Sequence, residues 1–578
     1  HNPSTLPPPQ PSKFILFYLV LLITFAFGLR LVSLDSLPLS LSLDEAIDGL
    51  DALQLFRLRW LTPFLQSNFG RETFFFYFQG VALWLYGVSI FSLRFASVLA
   101  GTLTIPLLYR VGQRLDFERL TFNIHGSTIT VSLLAATGLA VSYWHIYFSR
   151  VALRAILLPP LLLGLIWCFW QGWHSPLSKG GRLWLAAAGF LLGLTFYTYL
   201  AARLLPVLFA VFIAIELIRN QSNRQENLIG ILIFGGSAAV TTVPLIFYFL
   251  QNPQALSSRT QVISIFASDT PVEMLVNNFL ALCRVHFLGG VWLGQWPALD
   301  LLSAVGFLVG LLICLYHLKK PAYLFLLLWW LVGTAPVLLS EQDWGATTTL
   351  LRGIIAWPAL YLISAIGLAT LSLCISKLAS RRIIHHLWPP PLVAGHSQFT
   401  IHNSPFIFPL VLLLLFGAFS SIYNYFFVWA TNYNNLSDHP PYMARYLNSQ
   451  TEQLTLTPLK FYGETVVNFL LQANYPHLVN ADNKILRSLL EAKQPAVYLL
   501  PDESTAEAAF VLLAPAVNGQ GTAYLLPPLT PLQIEAMAQH TRHLPPLTTV
   551  SDWEQEPIAQ VYPLAADAPF LPSPETEI

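Results

Sequence analysis

Apolar runs of near-membrane length recur through the first three quarters of the chain. They fall near 14–34, 93–109, 127–143, 151–170, 183–200, 201–218, 228–250, 299–316, 321–340, 353–376 and 406–429. Each approaches the roughly 20 residues that a helix needs to cross the hydrocarbon of a bilayer. Lipid offers no partner to a bare N–H or C=O, so such runs must fold as helices. The sequence therefore predicts an α-helical polytopic membrane protein with about 11 transmembrane helices. Charged residues are only 10% of the 578, against about 25% in soluble domains. Basic and acidic residues balance at 30 each, with no basic block. That excludes an ordinary soluble enzyme and gives no footprint for nucleic acid.

The charges also divide the chain. Residues 430–578 hold 15 acidic and 6 basic residues, and the part before them 15 acidic and 24 basic. The expected organisation is a disordered Pro-rich segment, 1–13, then a membrane domain, 14–430, with a first outer loop at 35–92. An acidic domain of soluble composition follows at 431–578. The run after Lys13 is too long for a signal-peptide core and lacks a small-residue cleavage site, so it reads as a retained span. With eleven spans and a cytoplasmic N-terminus, Lys13, Lys179, Lys319, Lys320 and Lys377 all fall in cytoplasmic loops, as do the Arg110/Arg114/Arg119, Arg219/Arg224 and Arg381/Arg382 clusters. This obeys the positive-inside rule. It assigns 74–92 and 273–293 to interfacial helices, and the tail to the extracytoplasmic side of a plasma (inner) membrane. The tail reads as a small α/β or α+β domain. MARYLNS and VVNFLLQAN are helical, PAVYLLP, AFVLLAP and AYLLPP are strands, and PLTPLQIEAMAQH is a Pro-started helix. Cys168, Cys283, Cys314 and Cys374 show no CxxC spacing and read as packing residues, not as a disulfide or metal framework.

The arginines break the pattern. Arg57, Arg59, Arg71, Arg150, Arg154, Arg203, Arg259 and Arg352 map to the outer face or just within it, where no lysine occurs before the tail. Any one could be a snorkelling helix-end residue. As a set they suit an anionic ligand, because guanidinium forks match phosphate oxygens. The first outer loop carries LSLDEAIDGLDALQLFRLRW at 41–60. Ser42 and Glu45 fit a capping box, and Asp44, Asp48 and Asp51 fall on one helix face. A capped, solvated helix accounts for Glu45 and Asp51. Asp44, just past a membrane exit, is the candidate for chemistry. NFGRETFFFYFQG at 68–80 sets Arg71 and Glu72 before an aromatic run. His145, beside Trp144 and Tyr147, is a lone histidine open to packing or to ligand contact. Tyr197 and Tyr199 stand at the outer end of a span, where belt aromatics are common.

These blocks, with VSIFSLRFASVLAGTLTIPLLYRVGQRL at 88–115, SYWHIYFSRVALRAILLP at 142–159, SSRTQVISIF at 257–266 and LRGIIAWPALYLISAIGL at 351–368, resemble the bacterial dolichyl-phosphate-mannose-protein mannosyltransferase-like family. That family belongs to the GT-C superfamily of membrane glycosyltransferases. The resemblance covers roughly 14–430. It implies a sugar taken from a polyprenyl-phosphate carrier and passed to an extracytoplasmic acceptor that is a protein, lipid or glycan. It implies Asp44, the first residue of the Asp44–Glu45 pair, as catalytic base, and Arg71 as a contact to the carrier phosphate. Arg150, Arg154, Arg259 and Arg352 are further candidates for that phosphate. Asp48, Glu72, His145 and Tyr197 complete the candidate set.

The chemistry fits an inverting displacement. Negative charge grows on the leaving phosphate, where arginines can stabilise it, while a carboxylate takes the acceptor proton. The chain departs from members that hold a divalent metal between acidic residues of two outer loops. No Asp or Glu lies between Glu118 and Glu216. No cofactor or metal is therefore expected, although Asp44 with Glu72 could hold an ion. The oligosaccharyltransferase WWD signature is also absent from the tail. The alternative reading is a transporter or flippase for lipid-linked sugars. It would show repeated halves and polar residues at mid-membrane, and neither is seen in the sequence.

The charge pattern makes a topological prediction. A periplasmic-type reporter fused at residue 430 will be active, and one that works only in the cytoplasm will be silent. The opposite result overturns the eleven-span topology.

Overall fold

The computed structural model describes residues 13–39, 41–59, 61–115, 117, 121–124, 127–173, 175–219, 224–287, 297–340, 345–387, 407–431, 439–450, 452–480 and parts of 488–563. The described residues form two compact units. One draws on His1–Val32, Leu61–Phe78 and Arg94–Ala430, and the other on Ser33–Trp60, Gln79–Leu93 and Thr431–Ile578. Two pieces of the stretch 35–92, expected as the first outer loop, thus belong to the unit that contains the tail. The Pro-rich segment ahead of Lys13 lies outside the described residues.

Helices occupy the eleven apolar stretches, but seven of them are long and apolar enough to cross a membrane, or eight if the bent pair Val131–Val141 and Tyr143–Arg150 is one span. The expected count of eleven is not reached by that measure. Lys179–Thr195, Leu301–Tyr316 and Ile407–Tyr423 have 17, 16 and 17 residues as α-helix. The last of them runs on into a π-helical turn, Asn424–Trp429. The bend in the pair, 58°, has a local cause. Ser142 adopts an extended conformation and caps the second helix through its hydroxyl, which ends one helix and starts the next. Phe74–Tyr86 and Pro271–Phe287 are helices at the two stretches read as interfacial. The first is followed by Gly87 at φ +77°, a left-handed conformation that glycine adopts without strain at a helix end.

Small residues set the helix packing. Without a hydrophobic force between helices in lipid, close backbone approach must supply the contact. Gly306 and Gly310 lie four apart on Leu301–Tyr316, and Gly367 of Trp357–Leu387 faces them. A Cβ at Gly310 would collide with the Ile363 carbonyl, and one at Gly367 with the Gly306 carbonyl. Gly189 and Gly193 repeat the arrangement on Lys179–Thr195 against Arg224–Gln251, where a Cβ at Gly189 would strike the Phe234 carbonyl. There Ser237 Oγ also donates to the Ala186 carbonyl at 2.7 Å.

In the other unit the tail builds a seven-stranded mixed sheet. Its order is Thr548–Ser551, Pro557–Pro563, Ala496–Pro501, Leu454–Pro458, Phe510–Ala514, Thr522–Leu525, Leu478–Asn480. Leu454–Pro458 pairs parallel with Ala496–Pro501, and Leu478–Asn480 parallel with Thr522–Leu525, while the other pairs are antiparallel. Phe510–Ala514 is buried at every residue, as a near-continuous apolar run requires of a central strand. Met443, Leu447, Val467, Leu471, Leu499, Leu513 and Val561 share one core, which joins the helices His439–Ser449 and Thr465–Leu471 to the sheet. The three expected strands and both expected helices of this part are present. Four more strands escaped the sequence reading, among them the short exposed edge Leu478–Asn480. The expected helix PLTPLQIEAMAQH falls largely outside the described residues.

The packing has a measurable consequence. Gly310→Leu must push two helices apart, and overpacking a tight contact costs about 1–3 kcal/mol. We expect a clear loss of thermal stability in detergent from Gly310→Leu and little change from Gly235→Leu, because a Cβ at Gly235 meets nothing within 4 Å.

Candidate functional site

The first long helix, Lys13–Leu31, ends in a buried arginine. Arg30 Nη1 donates to the Ala26 and Ala140 carbonyls at 2.9 and 3.1 Å, and Arg30 Nη2 lies 2.7 Å from His145 Nδ1. Guanidinium only donates, so His145 Nδ1 accepts and the ring is the neutral tautomer protonated at Nε2. That Nε2 is buried with no hydrogen-bond partner among the described residues. Arg150 Nη1 in turn donates to the carbonyls of Leu29 and Arg30, at 2.9 and 3.0 Å. These belong to the C-terminal carbonyls that a helix leaves unsatisfied. The Arg150 guanidinium also stacks 4.8 Å from the Phe426 ring centre, on the π-helical turn.

Four residues further on, a second cluster forms. Phe64–Leu65 pairs antiparallel with Arg71–Glu72, in the register Phe64 to Glu72 and Leu65 to Arg71. The turn between them uses positive φ at Asn68, Phe69 and Gly70. Glu72 is buried and lies 3.6 Å from Arg154 Nε and 3.7 Å from Arg203 Nη2. Two guanidiniums therefore share one carboxylate. Arg154 is itself buried, and its Nε and Nη2 make no hydrogen bond among the described residues. Tyr199 and Phe249 lie under the two guanidiniums, at 5.6 and 5.7 Å. Arg71 is fully buried, donates to Ser67 Oγ at 3.2 Å and sits 5.3 Å from the Phe76 ring centre. The helix Pro253–Ile263 holds the turn, because Ser258 Oγ donates to the Phe69 carbonyl at 3.2 Å and Arg259 Nη1 to the Asn68 carbonyl at 3.5 Å.

Arg71, Glu72, Arg154 and Arg259 are thus gathered around one hairpin, together with Arg203. Arg150 and His145 belong to the helix-end network, where Arg150 Nη1 donates to two backbone carbonyls. Arg352 is placed elsewhere. Its Nη1 donates to Ser340 Oγ at 2.8 Å. The Tyr197 hydroxyl donates to the Thr241 carbonyl at 2.8 Å. Arg30 was not anticipated. The available signal was its place as the one charged residue inside the first apolar run.

The carboxylates of the Asp44 segment lie in the other unit, on the helix Leu43–Arg57. The capping box is formed. Ser42 N and Oγ both donate to Glu45 Oε2, at 3.1 and 3.2 Å, and Glu45 N donates to Ser42 Oγ at 3.3 Å. Glu45 is therefore buried and engaged in the capping box. Asp48 and Asp51 are buried too, whereas Asp44, on the first turn, is exposed. The expected shared face splits by environment. Gly49 makes this helix fit the tail, because a Cβ there would lie 2.5 Å from Phe469 Cε2. Arg57 Nη1 donates to Gln472 Oε1 at 2.9 Å. Among the described residues, no three His, Cys, Asp or Glu side chains converge as a metal-binding set.

No family model and no curated protein matches the sequence. Solved structures do match the fold. The crystal structure of ArnT from Cupriavidus metallidurans bound to undecaprenyl phosphate is similar over 96% of this chain and 99% of that one, with a TM-score of 0.55 at 15% identity. The apo form of the same protein has a TM-score of 0.51 over the same shares, also at 15% identity. The oligosaccharyltransferase AglB from Archaeoglobus fulgidus matches 81% of this chain and 63% of its own, with a TM-score of 0.44 and 15% identity. The fold of this chain is the GT-C type that the sequence resemblance implied, with a small strand-containing C-terminal part.

The Glu72 cluster can be tested by stability. Breaking a buried ion pair by removing one partner costs on the order of 3 kcal/mol. Glu72→Gln leaves Arg154 and Arg203 without their carboxylate, so its melting temperature in detergent should fall well below that of wild type. An unchanged melting temperature would show that the pair is not formed.

Proposed function

We propose that this chain is an integral-membrane glycosyltransferase. It moves a sugar from a polyprenyl-phosphate carrier to an acceptor outside the cytoplasm, with inversion at the anomeric carbon. The observation that carries the proposal is the Glu72 cluster. Two guanidiniums share one carboxylate, and the buried Arg154 keeps donors without hydrogen-bond partners among the described residues. An excess of buried positive charge is costly unless an anion completes it, and the planar fork of arginine suits phosphate. The GT-C fold, and the likeness to a protein crystallised with undecaprenyl phosphate, support a lipid phosphate as that anion.

In the reaction, the bond between the sugar's anomeric carbon and the phosphate oxygen breaks, and its electron pair leaves on the phosphate. The acceptor oxygen forms the new bond on the opposite face. Arg71, Arg154, Arg203 and Arg259 stabilise the charge that grows on the phosphate, an electrostatic effect that is strong where water is excluded. Asp44 takes the acceptor's proton. It is the exposed member of its carboxylate group, which a base open to incoming acceptor requires. Glu72 bridges Arg154 and Arg203 and offsets their mutual repulsion, and no step passes through a metal ion.

Two variants separate these roles. Asp44→Asn keeps size and polarity but removes the base, so kcat on a polyprenyl-phosphate sugar should fall by about 10²–10⁴ with little change in KM. Arg71→Ala should lower kcat and also raise KM for the lipid donor, because it meets phosphate in the ground state as well. Full transfer activity in Asp44→Asn would refute the base assignment. Failure of wild type to turn over any polyprenyl-phosphate sugar, alongside uptake or flipping of the lipid, would refute the enzyme.

A further inference from the structure

The helix that carries Asp44, Leu43–Arg57, is gripped along its length. At its middle, Gly49 lies against the tail. A Cβ there would fall 2.5 and 2.8 Å from two ring carbons of Phe469 and 3.0 Å from Leu93 Cδ1, so the bare backbone is what admits the ring. Phe469 is fully buried and belongs to the tail helix Thr465–Leu471. At the far end, Arg57 Nη1 donates to Gln472 Oε1 at 2.9 Å and Nη2 to the Gln472 carbonyl at 3.4 Å. Gln472 is the C-cap of that same tail helix. Its own amide is oriented by a hydrogen bond from Nε2 to Asn468 Oδ1 at 2.8 Å. One tail helix therefore meets the Asp44 helix at two points, about 12 Å apart along the axis. A third contact comes from the helix Phe74–Tyr86. A Cβ at Gly80 would lie 3.0 Å from Phe56 Cδ2, and the Phe56 and Trp84 rings stand 6.2 Å apart.

The tail helix is itself fixed to the sheet. Val467 and Leu471 belong to the tail core. Asn448 Nδ2 donates to the Leu470 carbonyl at 3.0 Å. Just past the helix, the Asn474 carbonyl accepts from Gly521 N at 2.6 Å, next to the strand Thr522–Leu525. Glycine weakens a helix interior, so local propensity gives no reason for Gly49. The Phe469 ring does. Asp44 precedes Gly49 by five residues, which places it about 140° round the helix from that contact. The grip thus leaves Asp44 exposed.

We propose that the tail is a positioning element for the base. Phe469 and Gln472 set where the Asp44 helix stands, and Gly49 is the seat that receives the ring. The inference rests on the reading of Asp44 as the base. A general base has to come within hydrogen-bond reach of the proton it takes, and a displacement of about 1 Å can cost on the order of 10²-fold in rate. Phe469 and Gln472 act through Asp44 and need touch neither donor nor acceptor.

The test uses the full-length protein in nanodiscs. Donors are undecaprenyl-phosphate mannose, glucose and arabinose, with envelope extract from the cells that make the protein as acceptor, and binding of undecaprenyl phosphate is measured separately. Gly49→Ala is the informative variant. Alanine favours a helix more than glycine does, so the helix persists while its new Cβ presses on Phe469. Its kcat should fall by roughly tenfold or more, with KM for the donor and affinity for undecaprenyl phosphate held within about twofold. Phe469→Leu shortens the side chain, so the double variant Gly49→Ala, Phe469→Leu should recover most of the lost kcat, the coupling expected of residues in contact. Wild-type kcat in Gly49→Ala, alongside an inactive Asp44→Asn, overturns the positioning role and leaves the base standing. A Gly49→Ala defect that weakens undecaprenyl phosphate binding, or that Phe469→Leu does not relieve, overturns it as well. Full activity in Asp44→Asn, or a wild type that transfers none of the three sugars, removes the base and this inference with it.

Discussion

A helix leaves its last carbonyls without partners, and a helix that ends within or near a bilayer has little water to satisfy them. The helical unit meets this constraint with arginine. Arg150 donates to the carbonyls of Leu29 and Arg30, and Arg30 reaches Ala140 and His145. The end of the first helix is thereby bound to the second half of the bent pair. Arg154 follows one turn later as a partner of Glu72. The position of the candidate phosphate cluster depends on this latch, because both arginines belong to one short stretch of chain.

The same residue type does two jobs within that stretch. Arg150 and Arg30 direct donors to backbone and a neutral histidine, while Arg154 holds donors that no hydrogen bond satisfies among the described residues. Sequence position does not separate these roles, since both sets sit at helix ends and both are buried. What separates them is whether a carbonyl or a carboxylate is within reach. The carboxylates divide likewise. Glu45 is consumed by the Ser42 capping box, Asp48 and Asp51 are buried, and Asp44 faces outward.

Much of this was readable beforehand because it depends on local rules. The capping box follows from Ser and Glu three apart before an apolar-periodic stretch. The strands PAVYLLP and AFVLLAP follow from short apolar runs bounded by turn residues. Leu478–Asn480 and Thr548–Ser551 were missed, because edge strands of three or four residues with at most one buried side chain, Val550, carry too little periodicity to mark them. The count of eleven spans is not confirmed by helix length and composition among the described residues, and the reason is local. Hydropathy reports how apolar a stretch is, and not where its α-helix gives way to a bend or a π-helical turn. The role of Gly306 and Gly310 also needed coordinates, since a glycine pair on a helix says nothing about which backbone comes close to it.

The sequence by itself determined that the chain is a bundle of apolar helices with an acidic, strand-containing tail. Hydrophobicity and backbone hydrogen bonding are summed over short windows and need no distant partner. It also determined which residue types could handle a phosphate and a proton. Only the tertiary structure decided which of them are available. Glu72 meets Arg154 and Arg203 across 82 and 131 residues of chain, and Arg150 meets Leu29 across 121. Such pairings exist only after helices distant in sequence have packed, and packing decides whether a buried charge is a structural clasp or part of a binding site.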